Sequence, residues 1–212
     1  MRPISEIAKQ LLQERLLSGS FVWRLPAGAA VALTFDDGPD PEHTPLMLDV
    51  LARRGVKATF FIVGERAEKS PALLRRILSE GHALASHTQT HRELPTLTRA
   101  EMEWELGTCR KLIQDLTGAD TTLMRPPRGR VSVPVLWRTK SLGYRLIHWS
   151  RTYSDYRQDG TQPLLQRLRA AAPQPRDIVL LHDNNRHTAE AMEAILPQWL
   201  AEGRSFAKLQ AS

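Results

Sequence analysis

Short apolar runs alternate along this chain with longer stretches in which apolar residues recur every three or four positions. The runs are Ala30–Phe35, Lys57–Val63, His82–Ser86, Thr121–Met124, Arg145–Trp149 and Asp177–Leu181. Near-continuous apolar character over so few residues marks strands buried on both faces, as in a parallel sheet. The longer stretches carry helix punctuation. Thr44-Pro45 reads as a cap with proline at the first helical position of a helix to Arg54, and Gly55 ends it. Ser70-Pro71 repeats that signal for a helix stopping at Gly81. Thr98 and Glu101 form a capping-box pattern before a long helix to about Thr117, closed by Gly118. Val133–Leu142, Pro163–Ala172 and His187–Glu202 supply further helices. Phe21–Pro26 reads as an edge strand or a plug, and Arg204–Leu209 as a segment that closes the sheet. About seven strands with helices between most of them predict an α/β fold close to a (β/α) barrel but short of eight units.

The N-terminus follows a different pattern. Ile4, Ile7, Ala8, Leu11, Leu12 and Leu16 keep helical spacing, with Glu6, Lys9, Gln13 and Arg15 between them. This predicts an amphipathic helix that covers part of the barrel, with peripheral membrane contact as a less favoured use. The expected division is a lead-in over residues 1–28 and one domain over 29–212. A length of 212 residues and a hydrophobic share of 42% suit a single core. The net charge of +6 changes the picture little. The arginines are spread out, with no basic block and no aromatic–basic repeat, so a solvated surface is expected rather than a nucleic-acid partner. Cys109 is the only cysteine, which excludes an intrachain disulfide, and it reads as a small buried hydrophobe. No apolar signal region stands at the start and no run is long enough to span a bilayer, so a cytoplasmic setting is the expectation.

The chemistry stands where the strands end. In a barrel of this kind, residues just past the strand ends point into one mouth. Asp36-Asp37-Gly38-Pro39 places two carboxylates side by side, which repel unless a cation or a proton intervenes. One metal ligand and one general base fit that pair, although Asp-Asp-Gly-Pro is equally good turn chemistry. His87 and His91 face one metal if the backbone between them makes a helical turn. With an oxygen of Asp37 they form a three-ligand site that leaves positions open for water. Arg125, before the rigid Pro126-Pro127, can pair with Asp36 and orient it. Asp155 is expected on a loop lining the same mouth, with Tyr156 as a wall. His182, leaving a buried strand, is the remaining histidine placed to act as an acid. His82 has a structural hydrogen-bonding role in this reading.

Taken in order, Thr34-Phe35-Asp36-Asp37-Gly38-Pro39, Ser86-His87-Thr88-Gln89-Thr90-His91, Arg125-Pro126-Pro127-Arg128-Gly129, Trp149…Asp155-Tyr156 and Leu180-Leu181-His182-Asp183 resemble the polysaccharide deacetylase family, the carbohydrate esterases of family 4 with a NodB homology domain. The resemblance covers roughly residues 30 to 209. It implies a distorted, incomplete (β/α) barrel and one divalent metal ion, often zinc. It assigns Asp37, His87 and His91 as ligands, Asp36 as base and His182 as acid, with Arg125 orienting Asp36 and Asp155 paired to His182. Arg128, Gly129, Trp149 and Tyr156 then fall in the substrate groove. Two local departures predict an altered groove. Arg128 stands where the family usually has an aromatic residue, and Thr152-Tyr153-Ser154-Asp155-Tyr156 lacks the first Asp and the Trp of the usual Asp-x-x-Asp-Trp. The implied reaction is removal of N-acetyl groups from amino sugars in a glycan. One alternative is deacetylation or deformylation of a lipid-linked or small, phosphorylated amino sugar, where Arg128 would meet a phosphate. Another is a catalytically silent glycan-binding module on the same fold.

Overall fold

A computed structural model describes residues 19–210. The amphipathic pattern over residues 4–17 lies outside the described residues. Eight parallel strands form one curled sheet: β1 (Phe21–Val22), β2 (Ala32–Asp36), β3 (Thr59–Ile62), β4 (Ala83–Ser86), β5 (Leu123–Met124), β6 (Arg145–Ile147), β7 (Arg151–Thr152) and β8 (Ile178–His182). The order across the sheet is β1-β6-β5-β4-β3-β2-β8-β7. β1 and β7 end that order, so the barrel is incomplete, as expected. Two strands are shorter than sequence patterning resolves. β1 is the edge strand of the two readings open for residues 21–26, and β7 lies in a stretch read as loop. Residues 204–209 do not close the sheet as a strand, and only Phe206 bridges to Val31.

The helices are α1 (His43–Arg53), α2 (Gly64–Lys69), α3 (Pro71–Ser79), α4 (Arg99–Thr117), α5 (Val133–Ser141), α6 (Thr161–Ala170) and α7 (Arg186–Ala201). The capping box of α4 forms as predicted. The Thr98 hydroxyl accepts from the Glu101 amide, Glu101 accepts from the Thr98 amide, and Gly118 closes the helix at φ 75°. The Thr44 reading needs correction: α1 starts at His43, two residues before the expected Pro45, so Thr44 lies inside the helix, and its hydroxyl donates to Asp183 at 2.5 Å. Ser70 makes no side-chain cap either; Pro71 alone starts α3. α2 went unread because it is barely longer than one turn.

Strand alternation sorts the side chains. On β2, Leu33 and Phe35 face outward into the main core with Phe60, Leu48, Ile195 and Trp199, while Ala32 joins Phe61, Ala85, Ile147 and Ile178 inside the barrel. Period two then turns Thr34 and Asp36 inward with Ala32. Around β5 and β6 a second outer cluster, including Met124, Leu146, Leu106 and Tyr144, seats α4 and α5. Cys109 is buried, its thiol pushed up to about 11 by burial, as suits a packing residue. His82 is buried and accepts from the Ala58 amide at 3.1 Å; burial pushes it down to about 4, so it is a neutral structural residue. None of the described helices is long and apolar enough to cross a membrane. Replacing Thr98 by Ala should cost about 1 kcal/mol through loss of the cap, read as a lowered urea midpoint with an unchanged slope.

Candidate active site

Register brings the predicted residues into rows. β2 and β8 pair Asp36 with His182, so the last residues of two central strands stand side by side and face inward. β4 and β5 pair Ser86 with Met124, which puts His87 and Arg125 together one position further on. The chain separations are long; the sheet removes them.

Arg125 is fully buried, and every part of its guanidinium has a partner. Nη1 donates to Asp36 Oδ1 at 2.6 Å and to Thr34 Oγ1 at 2.8 Å. Nε and Nη2 donate to the carbonyls of Ile147 and His148, both at 3.2 Å. The guanidinium also lies 4.1 Å over the Phe61 ring. A buried cation is tolerated only with such satisfaction. Asp36 is thereby held in one orientation, with Oδ2 3.8 Å from His87 Nε2.

Asp37, His87 and His91 bring three ligand atoms within 4.8 Å of one another. Asp37 Oδ1 lies 3.1 Å from His91 Nε2 and 3.5 Å from His87 Nε2. Zinc bonds of about 2.0–2.1 Å in a tetrahedron place ligand atoms roughly 3.3 Å apart, so these residues fit a divalent ion and leave a position open. His87 Nδ1 sits 2.8 Å from the Arg125 carbonyl, which makes Nδ1 the protonated nitrogen and frees Nε2 as a ligand. Burial works to raise the Asp37 carboxyl, but hydrogen bonds from His87 and His91 outweigh it and hold it well below the usual carboxylate range. The two imidazoles do not meet through a helical turn, as the spacing suggested. Residues 87–91 form a tight loop in which Thr88 (φ 71°) and His91 (φ 61°) are left-handed, as is Asp37 (φ 71°). Left-handed backbone in residues with a Cβ is strain held by the surroundings, and it gathers here at two of the three ligand residues, Asp37 and His91, and at Thr88 between the histidines.

Asp155 does not line the mouth. It is buried behind His182, accepting from His182 N at 2.7 Å and facing His182 Nδ1 at 3.0 Å. Burial pulls the His182 ring down, but the hydrogen bond and charge of Asp155, with the nearby charges of Asp36 and Asp37, overcome it and raise the ring to about 9. Thr188 on α7 steadies Asp155 through a hydroxyl at 3.1 Å, and Asn185 caps that helix by accepting from the Thr188 amide. Sequence reading missed Thr188; nothing short of the tertiary fold links it to Asp155.

A cavity of about 580 Å³ opens over these groups, walled by Arg128, Gly129, Trp149 and Tyr156 as expected, and also by Thr152 and Leu180. Gly129 has φ 62°, and a Cβ there would meet the Trp149 ring at 2.2 Å, so this wall requires glycine. Arg128 reaches Glu93 at 3.0 Å and is otherwise largely exposed. The assembly brings an oriented carboxylate, an imidazole paired with a buried carboxylate and three residues able to hold a metal ion to one mouth, which is a set of groups able to hydrolyse an acyl bond.

The polysaccharide deacetylase profile matches residues 25–147. Over 206 residues the chain is 33% identical to the peptidoglycan-N-acetylglucosamine deacetylase PgdA of Listeria monocytogenes, covering 96% of this chain and 43% of that protein. The chain thus spans less than half the length of that relative. The peptidoglycan-N-acetylmuramic acid deacetylase PdaA of Bacillus subtilis is 34% identical over 180 residues, 83% of this chain and 68% of the relative. Among solved structures, the Bc1960 peptidoglycan N-acetylglucosamine deacetylase superposes with a TM-score of 0.86 at 28% identity, covering 99% of this chain and 95% of that one.

The Asp155–His182 pair has a pH signature. His182 titrates above its ordinary 6.5, so its contribution to stability is complete below pH 6.5 and is lost as pH rises through about 9. In metal-free protein, NMR titration of the His182 ring should give a midpoint near 9, and Asp155→Asn should move it down. An unmoved midpoint in that variant would remove Asp155 from this role.

Proposed function

Because the chain belongs to the polysaccharide deacetylase family, we propose that it is a metal-dependent amide hydrolase removing N-acetyl groups from amino sugars in a glycan. The observation that carries this reading is the pairing of Asp36 with His182 at adjacent strand ends beside Asp37, His87 and His91. One carboxylate and two imidazoles suit zinc among the divalent ions. Bound there, the ion would supply Lewis acidity toward the amide carbonyl and toward a water.

The remaining steps belong to side chains. Asp36, fixed by Arg125, accepts the proton of the attacking water. Within residues 125–129, Pro126 and Pro127 carry no N–H and the Arg125 and Gly129 amides donate to the Ser86 and Pro126 carbonyls, which leaves the Arg128 N–H as the candidate donor for the oxyanion. His182, kept cationic by Asp155, gives its proton to the departing amine. Trp149 and Tyr156 offer ring faces to the sugar. Acetate and a free amino sugar result, with no covalent intermediate. A silent glycan-binding module would need none of the buried support that Arg125 and Asp155 provide.

One observation favours a second reading of the substrate. Arg128 stands at the lip with its side chain 69% exposed, and its one acidic partner among the described residues, Glu93, also lies 3.9 Å from Arg130. A free guanidinium face there suits a carboxylate or phosphate on the amino sugar. Muramic acid, the sugar in the name of the PdaA relative, carries a carboxylate.

Chelator-stripped protein should release no acetate from N-acetylglucosamine oligomers until zinc or cobalt is restored. Asp36→Asn should then lose at least about a hundredfold in turnover while still taking up one equivalent of metal; full activity in that variant would sink the base assignment. Arg128→Ala separates the two substrate readings. It should raise KM for acidic amino sugars selectively if the second holds, and change neutral and acidic substrates alike if it does not.

A further inference from the structure

The loop that carries the two histidine ligands is pinned from several sides. His87 N donates to the Ile62 carbonyl at 2.8 Å, and the first amides of α2, on Gly64 and Glu65, donate to the Thr88 and Gln89 carbonyls at 3.0 and 2.9 Å. His91 N donates to the Thr88 hydroxyl at 3.1 Å. Gly64 lets the loop come this close, since a Cβ there would meet Gln89 Oε1 at 1.9 Å. The Thr90 amide, midway along the left-handed stretch, is held differently. It donates to a carboxylate from outside the loop, Glu105 Oε2 at 2.8 Å, and the Thr90 hydroxyl donates to Glu105 Oε1.

Glu105 projects from the middle of α4 and is fully buried. Among the described residues no cationic side chain pairs with it. A buried carboxylate met by one amide and one hydroxyl is costly unless positive charge lies nearby. Asp36 does not lack such charge, since Arg125 neutralises it. That leaves Asp37 as the sole directly ligating carboxylate against a divalent ion. Across Thr90 from the histidines, Glu105 is placed to supply the second negative charge and to hold the strained loop in its ligating shape.

We propose that Glu105 is a positioning residue of the metal centre, setting its affinity through Thr90 and through its charge. This rests on the metal reading of the Asp37, His87 and His91 site. Outer-shell partners of metal ligands typically change affinity 10- to 100-fold when removed. Glu105→Gln keeps an oxygen acceptor for the Thr90 amide and removes the charge, whereas Glu105→Ala removes both.

Zinc affinity of stripped protein, measured by competition with a chromophoric chelator, reads this without reference to any sugar. Thermal melts of the metal-free proteins accompany it. The expected result is a Kd raised about tenfold in Glu105→Gln and up to about a hundredfold in Glu105→Ala, with the metal-free Gln variant melting near wild type. A Gln variant that melts early yet binds zinc with the wild-type Kd would make Glu105 merely structural and overturn the inference. Equal Kd values in well-folded variants would overturn it too. Wild-type protein that binds no zinc would instead overturn the metal site, and this inference with it.

Discussion

The site hangs on the buried contact between Arg125 and Asp36. The Arg125 side chain fixes the Asp36 carboxylate, while the Arg125 carbonyl fixes the tautomer of His87. One residue thus sets Asp36 and His87 in a common frame. Breaking a buried ion pair by removing a single partner typically costs about 3–5 kcal/mol, because the survivor is left charged in a dry interior. Here the survivor would sit against Phe61 inside the barrel, far from water. The barrel interior, which in most such folds is filled by apolar side chains, therefore has a polar centre: Thr34, Asp36 and Arg125 replace one layer of packing. Thr34 completes it, accepting from Arg125 and donating to the Val179 carbonyl at 2.6 Å.

That frame explains how adjacent carboxylates are tolerated. Asp36 faces a guanidinium and Asp37 faces two imidazoles, so the like charges are turned toward different partners rather than toward each other. Asp183, one residue beyond His182, illustrates the opposite outcome. It is buried, and among the described residues the Thr44 hydroxyl donates to Oδ2 while Oδ1 has no hydrogen-bond partner, so burial pushes it up to about 7. Asp37 and Asp183, close enough for their charges to interact, thus differ because their surroundings differ.

Much of this was legible in the sequence wherever a strand end carried it. Asp36, His87, Arg125 and His182 each follow an apolar run, and parallel pairing turns that local fact into a shared row. The α4 boundaries were equally legible, since Thr98, Glu101 and Gly118 act over a few bonds. What escaped depends on partners far away in the chain. The loop 87–91 adopts left-handed residues because α2 and Glu105 hold it, and neither is visible in the pattern His-x-x-x-His. Asp155 looked like a mouth residue from its spacing after Trp149, with Tyr156 beside it as a wall; the 3-10 turn at Asp155–Arg157 buries the carboxylate and leaves the ring exposed. Thr44 has the composition of a cap but lies inside the helix, where its hydroxyl accepts from the Asp40 amide and donates to Asp183, 139 residues on.

The same division separates machinery from selectivity. Asp36, His87, Arg125 and Asp155 are buried and held by several elements, so a substitution among them propagates, while Asp37 and His91 are partly exposed. The lip is otherwise: Arg128 sits in left-handed backbone at φ 55° between a proline and a glycine that Trp149 requires, tied by one exposed ion pair to Glu93. An exposed pair of this kind contributes at most about 1 kcal/mol, so a substrate anion can displace Glu93 at little cost. The backbone of the lip is rigid while its side chain is free to change partner. A fixed row of strand ends behind an exposed cationic lip means that a change at Arg128 leaves Asp36, Arg125 and His182 in place.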